Sequence, residues 1–235
     1  MAKTLPLLQI GALSSLLLAA CGSADDFDVT SLPVASEDDK SDAAAKSPLT
    51  WTRPSAYSVV CVRHPCATQM TFDVNTAASH LVYAYDFRAL KLSSGDEQNA
   101  QALASNMLLY GRYTSVKVAG EPMEVYQVTR ANMRVSDRSD QPETDRYYST
   151  KSATTSCPQQ PCNGLSATRL NMPTGQPELW SGVDLSGLGL SQRGLQQLQD
   201  DLAAGKAYVS TSGVAKPTSV PIGQAFRSLL AGPLP

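Results

Sequence analysis

The residues of this 235-residue chain best equipped for chemistry are five cysteines and two histidines. Four of the cysteines form two copies of one pattern: Cys61, Pro65 and Cys66 recur as Cys157, Pro161 and Cys162 at one constant offset. Thiolates can hold zinc, cycle through redox states or close disulfides. A four-thiolate zinc site uses pairs spaced by two to four residues in a reducing compartment. A redox pair is typically Cys-x-x-Cys at a helix N-terminus, where the dipole lowers the thiol pKa. Here each pair has four intervening residues, a spacing that zinc permits, but the secretory N-terminus described below implies an oxidising compartment that does not; and four intervening residues between strands do not suit a redox pair. Disulfides remain. Four cysteines allow three pairings, and the doubled pattern favours Cys61–Cys66 and Cys157–Cys162. Proline before the second cysteine limits the loop, and a loop this short is worth roughly 2 kcal/mol in the loop-entropy account.

The histidines offer less. His64 lies inside the first cysteine loop, where the second copy has Gln160, and His80 precedes an apolar strand. Exposed or capping imidazole is the plain reading of both. A triad through either would need a recognisable nucleophile setting. The chain has no Gly-x-Ser-x-Gly elbow and no Ser-x-x-Lys, nor a His-Glu-x-x-His, EF-hand or Walker sequence. Gly187-Leu188-Gly189 reads as a strand-to-helix turn, and Asp200-Asp201 as adjacent helical residues on different faces. Asp86 and Asp184 recur in matching contexts and are expected to cap turns. No catalytic residue, metal site or cofactor is therefore expected.

The same order of elements is read twice along the chain. Strands are predicted near Tyr57–Val62 and Thr68–Val74 around the first cysteine pair, and near Tyr147–Thr155 and Ser166–Leu170 around the second, since short runs rich in aromatic and β-branched residues favour strand. A third strand follows in each half, Leu81–Tyr85 and Glu178–Leu185. Asn75 and Asn171 share the cysteine offset, and Asp86-Phe-Arg-Ala-Leu-Lys-Leu-Ser93 resembles Asp184-Leu-Ser-Gly-Leu-Gly-Leu-Ser191. Helices are predicted next, one opened by a Ser94-x-x-Glu97 capping box and one by Ser191. Their apolar stripes are Ala100, Leu103 and Met107, and Leu195, Leu198 and Leu202. Gly111-Arg112 and Gly205-Lys206 close them. Strands then follow at Tyr113–Val118, Glu124–Val128 and Ala207–Ser210, while Ile222–Leu230 reads equally as strand or helix. The expected fold class is α+β: two tandem repeats, 51–135 and 147–235, joined by a linker at 136–146. Each repeat would be a small antiparallel sheet with one packed helix and a local disulfide.

The fifth cysteine has a different setting. Lys3, the apolar run Leu5–Leu18 and the small residues Ala19 and Ala20 have the order of a secretory signal peptide over residues 1–20. The run is too short for a stable membrane span. Leu18-Ala19-Ala20-Cys21 resembles the lipobox of bacterial lipoproteins. That resemblance implies cleavage before Cys21, a diacylglyceryl thioether on its sulfur and acylation of the new N-terminus. Two or more chains anchor stably where one does not. An ordinary signal peptide with a coincidental cysteine is the alternative. Gly22, where enterobacterial relatives retained in the inner membrane have Asp, favours the outer membrane. Residues 21–50 are rich in Ser, Ala and Asp and poor in large apolar side chains, which suits a disordered acidic tether.

The chain has 19 basic and 21 acidic side chains. That balance argues against nucleic acid as a partner, which would require a clustered basic face. The series Tyr-strand, cysteine pair, strand, Asp-x-x-x-Leu-x-Leu-Ser, helix, Gly-basic strand resembles an uncharacterised domain of secreted and lipid-anchored bacterial proteins, over most of Tyr57–Val128 and Tyr147–Val220. The resemblance implies an envelope location and carries no assigned activity. The expected function is a non-catalytic binding or structural module of the cell envelope, attached to the membrane through Cys21 and facing an envelope or extracellular ligand. The alternatives are an envelope hydrolase and a protease inhibitor presenting Val62–Pro65. A Cys21→Ala variant should leave the membrane fraction and become soluble in the periplasm or medium; retention in the membrane fraction would refute the anchor.

Overall fold

A computed structural model describes residues 47–62, 64–135, 145–153, 164–172, 174–212 and 219–231. Antiparallel sheet is the largest component of the described chain. The strands of its first half are β1 (Thr50–Ser58), β2 (Gln69–Asp73), β3 (Ser79–Val82), β4 (Ala84–Asp86), β5 (Met107–Val118) and β6 (Glu121–Arg134). Those of the second are β7 (Arg146–Ser152), β8 (Leu165–Arg169), β9 (Glu178–Trp180), β10 (Val183–Asp184), β11 (Ala207–Thr211), β12 (Val220–Pro221) and β13 (Gln224–Ser228). Two α-helices are described, α1 (Ser94–Ala102) and α2 (Gln192–Ala203).

Eleven strands form one sheet in the order β3-β2-β1-β5-β6-β13-β11-β7-β8-β9, with β4 added in parallel to β6. The strands β10 and β12 form a separate parallel pair. The expected pair of independent repeats, each with its own small sheet and packed helix, is therefore incorrect. The halves meet through β6 and β13, where Asn132 pairs Ser228 and Arg134 pairs Phe226. From each outer edge inward the strands come in a matching order, β3-β2-β1-β5-β6 and β9-β8-β7-β11-β13, so the sheet has the same topology read from either end.

The expected helix stripe of the first half also fails. Helix α1 ends at Ala102, buries only Ala100 and has no large apolar residue. Leu103 is 43% exposed, and Met107 opens β5 instead. The run Met107-Leu-Leu-Tyr110 is apolar without alternation because both faces of β5 are covered. Met107 and Leu109 join one core cluster, while Leu108 and Tyr110 pack into another. A short continuous apolar run cannot be assigned to helix or strand by period alone. The cap shifts by one residue as well. Ser93, not Ser94, is the N-cap, and its Oγ accepts from the Asp96 amide at 3.2 Å and donates to Asp96 Oδ2 at 2.7 Å.

Helix α2 matches its expectation. Ser191 Oγ accepts from the Gly194 amide at 3.0 Å. Leu198 and Leu202 are fully buried in the cluster that holds Tyr148, Trp180, Ala207 and Val209. At the other end Lys206 N–H reaches Asp201 O and Gly205 N–H reaches Leu202 O. This double bond pattern closes a helix on a left-handed residue, and Gly205 supplies it with φ +72°.

The longest hairpin, β5–β6, turns at Ala119 and Gly120, both at positive φ, as two-residue hairpins require. Its one irregularity lies at Tyr110/Gly111. Gly111 sits there because a Cβ would come within 2.0 Å of Gln127 O. It is thus a strand glycine at a close backbone approach, not the helix stop expected for it.

The sheet also curls. Five strand steps separate β1 from β7, about 24 Å in a flat sheet. Yet Trp51 of β1 packs on Tyr208 of β11 with ring centroids 4.5 Å apart, and Trp51 and Tyr147 share a buried cluster with Val74, Leu108, Leu170 and Phe226. The two ends are joined by asparagine side chains. Asn75 Nδ2 donates to Tyr147 O (2.7 Å) and Leu170 O (2.9 Å), and its Oδ1 accepts from Tyr147 N–H (2.9 Å). Asn171 does the same in reverse, donating to Trp51 O (2.7 Å) and Val74 O (3.0 Å) and accepting from Trp51 N–H (2.7 Å). A primary amide offers the donor and acceptor of a peptide group, so each side chain acts as a surrogate strand residue. Both asparagines sit at positive φ, 61° and 56°, which Asn tolerates better than other side-chain-bearing residues.

Replacing Asn75 by Ala removes three bonds worth about 0.5–1.5 kcal/mol each and forces Ala into a left-handed conformation. We expect a loss of about 2–4 kcal/mol in urea unfolding. Asn75→Gly, which relieves the backbone penalty, should recover less than half of it. A loss under about 0.5 kcal/mol in Asn75→Ala would remove the bridge from the account.

Candidate functional site

The ladder between β1 and β2 resumes at Ser58 and Gln69 after an irregularity, and Val59 N–H extends it to Thr68 O at 2.8 Å. Beyond that point the chain leaves the sheet and is closed by a Cys61–Cys66 disulfide. This is the local pairing that the doubled pattern favours. Val62 inside the loop is 98% exposed, and Val60 on the segment leading into it is 86% exposed, with Val59 beside it. Isolated exposed valines need no explanation, but three fall within four residues at the entry to the stapled loop. His64 is exposed and its Nδ1 lies 3.7 Å from Cys61 Sγ, so its described neighbour is a disulfide sulfur. Cys21, Cys157 and Cys162 lie outside the described residues. Among the described residues, no cluster of three His, Cys, Asp or Glu side chains could hold a metal ion.

His80 sits in a denser setting. From β3 its ring stacks on Tyr113 of β5, with centroids 3.8 Å apart. Nε2 lies 3.8 Å from Asp73 Oδ2 and Nδ1 3.4 Å from Glu124 Oε2. Tyr113 donates its hydroxyl to Asp73 Oδ1 at 2.7 Å. Burial, followed by the neighbouring Asp73, pushes the Tyr113 phenol far above its ordinary range, so it remains a neutral donor. A carboxylate thus lies near each ring nitrogen. The arrangement ties β2, β3, β5 and β6 together and lacks the base–nucleophile geometry of acyl transfer. No sequence motif announces it, because its members come from four strands. The only sequence signal was His80 itself, set beside a strand.

The recurring acids play the structural part expected of them. Asp86 Oδ1 accepts from the Arg88 amide (3.0 Å) and from Arg88 Nε (2.8 Å), and Oδ2 accepts from Arg88 Nη2 (2.8 Å). Asp184 Oδ1 accepts from the Ser186 amide (3.0 Å) and hydroxyl (2.6 Å). Each starts a 3-10 turn, Arg88–Leu90 and Ser186–Leu188, that ends on a left-handed residue, Lys91 or Gly189. Gly187-Leu-Gly189 therefore lies in a strand-to-helix turn, as expected, and Ala89-Leu-Lys91 makes the equivalent turn in the first half. Asp200 and Asp201 diverge as expected, the first to Gln196 and the second to Arg227.

Comparison with protein-family models, curated proteins and solved structures finds no match to this chain.

The Asp86 turn has a pH signature. Burial alone would raise its carboxyl, but the hydrogen bonds and charge of Arg88 outweigh burial and hold it below the ordinary range. A carboxyl lowered on folding contributes stability that is full above the unfolded pKa, about 3.9, and is lost as pH falls through the lower folded value. Asp86→Asn should cost about 1 kcal/mol at pH 7, with the deficit closing toward pH 2 in urea titrations. A deficit that stays constant with pH would contradict the ion-pair role.

Proposed function

We propose that this chain is a lipid-anchored protein of the bacterial cell envelope whose folded body is a non-catalytic binding module. The lipobox-like Leu18-Ala19-Ala20-Cys21 and the acidic segment behind it support the anchor and tether. The observation that carries the binding role is the exposed Val62 inside the Cys61–Cys66 loop, with exposed Val59 and Val60 on the strand end that leads into it. Leaving several valines in water forgoes about 1.5–3 kcal/mol each relative to burial. A partner with an apolar recess recovers that energy on contact. The staple restricts the loop beforehand, so less ordering entropy is lost on binding. The geometry around His80 and His64 supports this reading over hydrolysis, since the described neighbours of both imidazoles are carboxylates, a tyrosine ring or a disulfide sulfur.

The same loop supports a second reading, protease inhibition, because a short stapled segment presents an almost fully exposed Val62. The two differ in partner. Immobilised protein should capture an envelope component, and a Val60→Asp/Val62→Asp variant should lose at least tenfold in capture while keeping its urea midpoint. Equal capture by the variant would exclude the loop. Failure to retain any protein, glycan or lipid, together with nanomolar inhibition of a secreted protease, would replace the first reading with the second.

A further inference from the structure

The seam that joins β6 to β13 carries a cavity of about 320 Å³. It stands apart from the Cys61–Cys66 loop. Its buried lining is Ala131 and Asn132 of β6 and Arg227 of β13. Leu90 reaches it from the first half, and Tyr208 from the second. Leu229 and Leu230, which follow β13, complete an apolar wall. The site exists only because the halves share one sheet, since neither half supplies more than part of its lining.

Four charged residues also line it: Arg130, Lys206, Arg227 and Asp201. Arg227 Nε meets Asp201 Oδ2 at 2.5 Å, and their side chains are only 6% and 17% exposed. That buried pair offsets itself. Arg130 and Lys206 are exposed and lie on the rim, and the Arg130 guanidinium is set over the Tyr110 ring, 5.4 Å from its centroid. The sum is an apolar pocket with a cationic rim. Thr129, Asn132 and Ser228 add polar lining, but the exposed charges at the rim are both cationic, which disfavours an amine.

We propose that the seam pocket binds a small carboxylate with an apolar body, the carboxylate at Arg130 and Lys206 and the body against Leu90, Ala131, Tyr208 and Leu229. The volume sets the size. At about 30 Å³ per water-sized unit the cavity takes roughly ten non-hydrogen atoms, at the small end of ligand pockets. A medium-chain carboxylate matches that size.

The test is calorimetric titration of the full chain with octanoate, octylamine, 1-octanol and inorganic phosphate, alongside Lys206→Glu and Arg130→Glu variants. Octanoate should bind at least tenfold more tightly than any of the other three. Each charge reversal, on an exposed side chain, should weaken octanoate at least tenfold without moving the unfolding midpoint. Octylamine or octanol binding as tightly as octanoate would overturn the cationic rim. Phosphate binding as tightly would overturn the apolar body. Unchanged octanoate affinity in both variants, or no octanoate binding at millimolar concentration, would overturn the site.

Discussion

Asn75 lies just past β2 in the first half of the chain and bonds Tyr147 and Leu170 of the second; Asn171 lies just past β8 and bonds Trp51 and Val74 of the first. Each amide takes both the N–H and the C=O of the strand residue opposite, Tyr147 for Asn75 and Trp51 for Asn171. Without these contacts the Trp51 and Tyr147 amides and the Val74 and Leu170 carbonyls would lose these partners beside a buried cluster, while the Trp51 and Tyr147 carbonyls keep bonds from Val74 and Leu170 N–H. Unpaired buried peptide groups cost about 1–3 kcal/mol each, a large share of the roughly 5–15 kcal/mol by which folded domains are stable. The crossed pair of asparagines therefore sets how far the sheet can curl, and the curl makes the central core.

The remaining parts follow from that curl. Alternate residues of β1, β5, β7, β11 and β13 point inward, giving Trp51, Leu108, Tyr147, Tyr208 and Phe226 to one shared cluster. Their neighbours point outward, to two further clusters. One is covered by α2, whose leucines pack on β7 and β11. The other is filled largely by strand and turn residues such as Tyr85, Phe87 and Tyr126, which is why the polar helix α1 can be tolerated beside it. The Cys61–Cys66 loop and the seam cavity are positioned by the same frame, the first where the β1–β2 ladder ends and the second where β6 meets β13.

Local features were the most legible in the sequence. The strands β2, β8 and β11 lie within a residue of their expected positions, and Ser191, Leu198, Leu202 and Gly205 do what their types and spacing indicate. The Cys61–Cys66 pairing was favoured by the doubled Cys-x-x-x-Pro-Cys pattern. Asn75 and Asn171 were visible as an equivalent pair, but nothing local says that each serves the opposite half. Their partners lie far along the chain, and side-chain amides bonding strand backbone leave no periodic trace. The single sheet was illegible for the same reason, since the β6–β13 pairing is decided by register between distant segments. The extra helical stripe was inferred from a strand buried on both faces. The His80 cluster and the seam cavity draw on residues scattered over several strands and carry no motif.

The central claim is that the two asparagines act as one closure and not as two independent contacts. A double-mutant cycle measures this directly, using urea unfolding of the wild type, Asn75→Ala, Asn171→Ala and the double variant. If either substitution already opens the β1–β7 junction, the second should cost much less than it does alone, giving a coupling of about 1–3 kcal/mol. Costs that add to within about 0.3 kcal/mol would show two separate contacts and contradict the account.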